Sequence, residues 1–487
     1  MTENPSDNGV GSTPEHPHVD ELGVQAPPTI ARTGAVAAAG VELAEKVVPR
    51  KQVWSWALWD WATQPFNTVI VTFIFTALYL TTEAFLPADI VALGEDDPAF
   101  IAALDGLSAG LGLGLGFAGI AIALVAPVLG QISDATGRRK LWLGISTALL
   151  VACTALLFFV EADPGFFWLG VSLIAIGSIF SEIAGVNYNA MLVQVSTPKT
   201  IGRVSGLGWG FGYLGGIVAL IIVVIAYFFE WFGLPEDGGL PFRVVALGCA
   251  LWTVVFSIAI FRNVPEVPPL PGRVRVGFFR AYVEVAKQIG RIFRDSRQTF
   301  WFLLASAVYR DGLAGVFTFG AVLASVAFGF EFLEVVAFGI GANLIAGVST
   351  IIAGRFDDRF GARAVIIFAL AGLVVSGVAV FLLSEQGKIV FWIFGLALTA
   401  FVGPVQAASR SLLARVTPAG REAEIFGLYA TTGRAASPLS PLLWAGFIAW
   451  FGGTIFGVLG IVVIIAIGLV LMLFVKPGEH EQLGARD

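Results

Sequence analysis

Gly130-Gln131-Ile132-Ser133-Asp134-Ala135-Thr136-Gly137-Arg138-Arg139 and Gly354-Arg355-Phe356-Asp357-Asp358-Arg359-Phe360-Gly361-Ala362-Arg363 share one spacing. Each runs glycine, aspartate four residues on, glycine three further, then arginine. The copies begin 224 residues apart, at nearly the same place in each half of the chain. Both interrupt long apolar runs. A charged loop repeated between apolar spans implies a duplicated membrane bundle, and in that setting points to transport.

The composition supports a lipid environment. Of 487 residues, 57% are hydrophobic and 13% charged, and the mean hydropathy is +0.84; soluble domains carry about 25% charged residues. A net charge of −6 mixes acidic tails with basic loops and identifies no partner. No basic block interleaved with aromatics suggests nucleic acid. The two cysteines, Cys153 and Cys249, lie in apolar runs and form neither a disulfide framework nor a metal site. All three histidines (His16, His18, His480) lie in the polar tails, so the commonest catalytic base and metal ligand is missing from the apolar body. No enzyme chemistry, cofactor or metal is expected.

A helix needs about 20 apolar residues to cross a bilayer. Twelve runs qualify: 54–82, 105–130, 141–161, 166–192, 205–229, 241–262, 299–327, 332–354, 364–384, 389–413, 424–450 and 453–475. A β-barrel would show short alternating segments instead. The sequence thus predicts an all-α integral membrane protein with twelve transmembrane helices in two pseudo-symmetric six-helix bundles. Its expected divisions are a disordered cytoplasmic tail (1–51), a first bundle (52–262), a cytoplasmic linker (263–298), a second bundle (299–475) and a cytoplasmic tail (476–487). The first fifty residues lack the basic start and apolar core of a signal peptide.

Arg138, Arg139, Lys140, Lys199, Arg203, the cluster Arg273 to Arg297, Arg355, Arg359, Arg363, Arg415 and Arg421 fall on even-numbered connections. Odd-numbered ones carry Glu83, Asp89, Glu95, Asp96, Asp97, Glu161 and Asp163. The positive-inside rule then places both termini in the cytoplasm. In the linker, Phe278, Phe279, Tyr282, Val285, Ile289, Ile292 and Phe293 mix with Arg280, Lys287, Arg291 and Arg294, a spacing suited to an amphipathic helix on the anionic inner leaflet.

Gly114-Leu115-Gly116-Phe117-Ala118-Gly119 matches the dinucleotide fingerprint but follows no strand, so it is read as helix packing. Glycines at 206, 208, 210, 212, 215 and 216 likewise suit surfaces that slide. In the paired loops, Gly130 and Gly354 permit close packing, and Gly137 and Gly361 permit the turn. Asp134 and Asp358 are placed to accept amides at a neighbouring helix N-terminus. Arg138, Arg359 and Arg363 pair with carboxylates or headgroups.

Charges at membrane depth cost at least ~2.5–3.5 kcal/mol each and are functional candidates by default. Asp60 lies in the first span, Glu182 in the fourth, Arg310 and Asp311 in the seventh, and Arg434 in the eleventh. Asp60 and Asp311 open the two halves and, under two-fold pseudo-symmetry, face each other across a central cavity. Arg434 either holds a substrate carboxylate or pairs with Asp311 or Glu182. Asn67, Asn187, Asn189, Asn343 and Gln406 either bind substrate or link helices. Trp56, Trp59 and Trp61 read as interfacial anchors.

Several segments resemble one branch of the major facilitator superfamily, the vacuole effluxer (autophagy-related) type and its bacterial relatives. They are Trp56-Ala57-Leu58-Trp59-Asp60-Trp61-Ala62, the stretch Val204 to Gly216, Tyr309-Arg310-Asp311-Gly312, and Ser409 to Arg415 through Phe426-Gly427-Leu428-Tyr429. The resemblance covers residues 52–475. It implies a twelve-helix carrier working by alternating access, with amino acids as one substrate class. The chain departs from that pattern at Ala135, where a basic residue is usual, at Ser181-Glu182-Ile183-Ala184, which lacks the arginine of many proton-driven members, and in the fifth span, which lacks a Gly-Pro pair. The expectation is a plasma-membrane secondary transporter of a small solute, proton-coupled through Asp311 or Glu182. An uncoupled facilitator or drug exporter and a non-transporting scaffold are the alternatives. No GxxxxGK[ST] loop is present for ATP-driven transport.

Overall fold

In a computed structural model, residues 48–235, 237–266, 297–330, 332–417 and 421–476 are described, with isolated positions between 280 and 294. Residues 1–47 and 477–487 of the anticipated tails lie outside them, as does most of the linker, whose amphipathic segment is described only at isolated positions. The main helices are α1 (Arg50–Pro65), α2 (Pro98–Thr136), α3 (Arg139–Leu156), α4 (Phe167–Ala190), α5 (Ile201–Phe228), α6 (Leu240–Asn263), α7 (Arg297–Val322), α8 (Phe332–Phe360), α9 (Ala362–Leu382), α10 (Leu396–Val416), α11 (Glu422–Ala436), α12 (Leu439–Phe451) and α13 (Gly457–Phe474). No strand occurs among the described residues.

Among the described residues, ten helices are long and apolar enough to cross a membrane. The other two expected spans, 54–82 and 424–450, are broken, and proline is part of both breaks. In the first, α1 ends at Pro65 and the chain widens into π-helix over Phe66–Phe73 and Thr76–Leu80. A proline offers no N–H to the preceding turn. The hydroxyls of Thr72, Thr76 and Thr81 then bond the carbonyls of Asn67, Val71 and Thr76 at 2.7, 2.8 and 2.9 Å, each five residues back. These bonds satisfy carbonyls that the α-helical ladder would otherwise use. In the eleventh span, Ser437-Pro438 separates α11 from α12.

Helices α1–α6 pack among themselves, as do α7–α13, and the halves meet chiefly along two seams, α5 against α8 and α2 against α11. Both seams depend on absent side chains. A Cβ on Gly206 of α5 would lie 2.6 Å from the Thr350 carbonyl oxygen, and one on Gly427 of α11 would lie 2.6 Å from the Pro127 Cα. By contrast Gly106, Gly112, Gly116 and Gly119 of α2 face open space, so the sliding role expected of the second span's glycines does not extend to these four.

The repeated motif is helix rather than loop. Helix α2 runs to Thr136 and α8 to Phe360, and the turns proper are Gly137-Arg138 and Gly361. Gly137 and Gly361 have φ of 65° and 84°, which favour glycine. The motif carboxylates therefore sit on the last helical turn, held by a rigid element.

Candidate functional site

Two networks lie between the halves. The first seals the even-loop side. Asp134, fully buried, accepts from Nε and Nη2 of Arg139 at 2.9 and 2.6 Å and from the backbone N–H of Glu424 at 2.9 Å. Arg139 also pairs with Glu422 of the opposite half. The second copy repeats the arrangement with the halves exchanged: Asp358 accepts the N–H of Gly202 and the Nε of Arg203, both at 2.7 Å. Glu424 and Gly202 lie in the first turns of α11 and α5. Each motif carboxylate thus caps a helix of the other half, where unpaired N–H groups and the dipole favour an anion. Neighbouring Asp357 is held within its own half by Arg415 at 2.5 Å and by Ser411. Gly354 stands against the Gly202 carbonyl oxygen, which an added Cβ would approach to 2.7 Å. Gly130 stands against the Ala423 carbonyl in the same way.

The arginines anticipated in this network divide. Arg363 donates to the Leu473 carbonyl at 2.9 Å, Arg359 lies over the Phe360 ring, and Arg138 is exposed at the turn. None of these bonds a carboxylate among the described contacts. The bases that bridge the halves are instead Arg139 and Arg203, while Arg415 pairs with Asp357 within the second half.

The second network surrounds a cavity of about 400 Å³ between the halves, within the size range of small-molecule sites. Both halves line it. Asp60 accepts from the Tyr188 hydroxyl at 2.9 Å and from Arg410 Nη1 at 3.2 Å. Arg410, 3% exposed, also donates to the Ser205 carbonyl at 2.5 Å and to Asn189 Oδ1 at 3.1 Å, joining α10 to α1, α4 and α5. Tyr188 is stacked between Trp56 and Trp59 at 4.4 Å from each. These two tryptophans are therefore buried core and cavity wall, which corrects the reading of them as interfacial anchors. Glu182 meets Arg434 across the halves at 3.3 Å. Gln406 accepts from the Tyr213 hydroxyl at 2.7 Å, again across the halves.

Of the residues anticipated for this site, Asp60, Asn67, Glu182, Arg310 and Arg434 line the cavity. Asp311 and Asn187 do not. Asp311 accepts the Ser440 N–H at 2.6 Å, and the Ser440 hydroxyl donates to the Asp311 carbonyl at 2.8 Å. Its carboxylate caps α12 just past the proline break, so it does not face Asp60. Asn187 is fully buried, accepting from Ser133 at 2.5 Å and tying α4 to α2. Asn343 donates to Gly339 within α8. Arg410, Tyr188, Trp209 and Tyr429 were not anticipated. Arg410 lies in Ser409-Arg410-Ser411, where a basic residue near an even connection reads as ordinary.

Interbundle hydrogen bonds among the described residues run from the even-loop ends to this cavity, where Tyr213 to Gln406, Thr431 to the Ala123 carbonyl and Arg434 to Glu182 lie. None is described between the odd-loop ends.

A sequence model described as "Vacuole effluxer Atg22 like" matches residues 194–482, more than half of the chain. The chain belongs to the Atg22-like family. Among its relatives, the chain is 27% identical over 441 residues to the uncharacterized MFS-type transporter YxiO of Bacillus subtilis, covering 87% of this chain and 95% of that one. It is 27% identical over 321 residues to autophagy-related protein 22 of Botryotinia fuckeliana, covering 60% of this chain and 52% of that one. Among solved structures, the proton:xylose symporter XylE matches at a TM-score of 0.65 and 14% identity over 89% of this chain and 97% of that one. The human organic anion transporter MFSD10 matches at a TM-score of 0.65 and 17% identity over 87% and 99%. At such identities these structures establish the fold alone: this Atg22-like chain has the major facilitator fold. With its relatives, that makes it a multi-pass membrane transporter of the major facilitator type.

Proposed function

We propose that this chain is a secondary transporter of the plasma membrane that moves a small organic solute, amino acids among the candidates, by alternating access. Both termini face the cytoplasm, as the basic even-numbered connections imply, and the bundles divide at the 263–298 linker. The even-loop network then closes the cytoplasmic side while the cavity communicates with the opposite face. The observation carrying this reading is a cavity of about 400 Å³ built from both halves, crossed by the ion pairs Asp60–Arg410 and Glu182–Arg434. A solute seated there touches both halves at once, so rocking them exposes it to one face or the other.

Proton coupling falls to Glu182 and Asp60, the cavity carboxylates; Asp311, occupied in capping α12, is released from that role. Protonating either cavity carboxylate breaks an ion pair between the halves, which links proton binding to their separation. One observation favours a facilitator instead: both carboxylates already hold arginines. Reconstituting the full chain in proteoliposomes decides between these. Flux of a solute panel that rises with an imposed proton gradient, and loses that dependence in Glu182→Gln or Asp60→Asn, supports coupling. Flux indifferent to the gradient makes the protein a facilitator. An absence of flux for amino acids and other small solutes alike would overturn the reading.

A further inference from the structure

The polar groups of the cavity are not balanced. Its two carboxylates, Asp60 and Glu182, each hold a guanidinium from the other half. A third guanidinium, Arg310, lies on the same wall with no carboxylate among its described contacts. It donates Nη1 to the Tyr429 carbonyl at 2.8 Å and lies over the Tyr429 ring at 3.9 Å. Gly433 keeps the space beside it: a Cβ there would come within 2.9 Å of Nη1 and 3.3 Å of Nη2. One face of the guanidinium is therefore covered by an aromatic ring and one donor is fixed, which leaves the planar edge to a ligand. Guanidinium edges match carboxylates in a bidentate fork. A second donor on the wall is also unmet: the indole N–H of Trp209 is buried with no acceptor. Acceptors take the opposite course. Gln406 Oε1 and Asn189 Oδ1 already receive Tyr213 and Arg410.

We infer that the cavity selects organic monoanions, with Arg310 binding the solute's carboxylate. The surplus is one positive charge: three guanidinium groups face two carboxylates. A solute bringing one negative charge neutralises it, whereas an ammonium group must displace an arginine already in place. Aromatic walls at Trp59, Trp209 and Tyr429 suit an apolar body behind the carboxylate. The inference rests on the cavity's being the solute site, as the proposed function holds. It narrows that solute from zwitterions toward anions.

The test is equilibrium binding to the full chain in lipid nanodiscs by calorimetry, with no gradient. The probes are 3-phenylpropionate and 3-phenylpropionamide, which share their shape and differ in charge. The anion is expected to bind tighter by about tenfold or more, the size of one charge-assisted pair. Arg310→Gln should collapse that ratio toward unity, and Arg310→Lys should restore part of it. Arg138→Gln, which removes an exposed arginine outside the cavity, should leave the preference for the anion unchanged. Equal binding of the two probes, an unchanged ratio in Arg310→Gln, or no binding of either at millimolar concentration would overturn the inference. Anion-selective binding without flux would sink the transport reading and leave this inference standing. Gradient-driven flux of solutes with no charge preference would do the reverse.

Discussion

Replacing Asp134 with asparagine tests the even-loop seal most directly. Side-chain exposures of 0% for Asp134, 11% for Arg139 and 8% for Glu422 mark a desolvated cluster. Asparagine keeps the size of the side chain and one oxygen for the Glu424 N–H. That orientation turns its NH2 group onto the Arg139 guanidinium, donor against donor. Breaking a buried ion pair from one side costs about 3–5 kcal/mol. Arg139 keeps Glu422, so the lower end, about 3 kcal/mol, applies. At 1.4 kcal/mol per factor of ten, the closed arrangement loses roughly 10²-fold in population against any arrangement lacking the contact. The Arg203–Asp358 pair supplies the control, because Arg203 is 58% exposed and such a pair contributes about 0–1 kcal/mol. The assay is electron-spin distance measurement between nitroxides at Arg138 and Arg355, both exposed and on opposite halves, with buried Cys153 and Cys249 changed to serine. Asp134→Asn should show a second, longer distance that Arg203→Gln does not. Indistinguishable distributions for the two variants would refute the reasoning.

Three further outcomes follow from the geometry. Gly206→Ala places a methyl 2.6 Å from the Thr350 carbonyl oxygen and should weaken the α5–α8 seam by about 1–3 kcal/mol, read as the same longer spin distance, while Gly116→Ala, facing open space, should match the parent. Asp311→Asn keeps an acceptor for the Ser440 N–H and should leave any gradient dependence of flux intact; Asp311→Ala should lower stability by about 0.5–2 kcal/mol, the usual worth of a helix cap, in thermal unfolding. Asp60→Asn strips the buried Arg410 of its carboxylate but leaves its bonds to Ser205 and Asn189, so folded protein should be recovered with solute binding weakened, and unchanged affinity would argue against a role for the pair.

What the sequence disclosed depends on how far each feature reaches along the chain. Apolar runs and the duplicated motif are local patterns; they give the all-helical fold, with ten of the twelve runs forming helices long and apolar enough to cross a membrane among the described residues. The expectation that Asp134 and Asp358 meet helix N-termini agrees with their bonds to the Glu424 and Gly202 N–H groups, although both carboxylates sit on a last helical turn rather than in a loop. Their partners were hidden: Glu424 and Arg203 belong to the opposite half, and no periodicity connects residues so far apart in the chain. Asp311 was misplaced for a different reason. Equivalent positions in the two halves become equivalent positions in space only if the helices keep the same geometry, and they do not. Both spans widen into π-helix at their far ends, Phe66–Phe73 in the first and Leu323–Ala327 in the seventh, but only the seventh has its carboxylate claimed by an N–H at a proline break in its neighbour. Trp56 and Trp59 were assigned to the interface by their place near a span end, and Tyr188 between them is what draws both inside.

The even-loop seal also bears on speed. Its carboxylates and guanidinium groups are satisfied when the halves touch, and water can satisfy them when the halves stand well apart. At intermediate separation neither condition holds: the ions have left one another and the gap still excludes a hydration shell. If the halves alternate as proposed, half-open geometries would be the least favourable of all and the transition between states abrupt. A seal of this kind limits leakage less by being tight than by making partial opening short-lived, and it ties the rate of opening to how readily water enters beside Asp134 and Asp358.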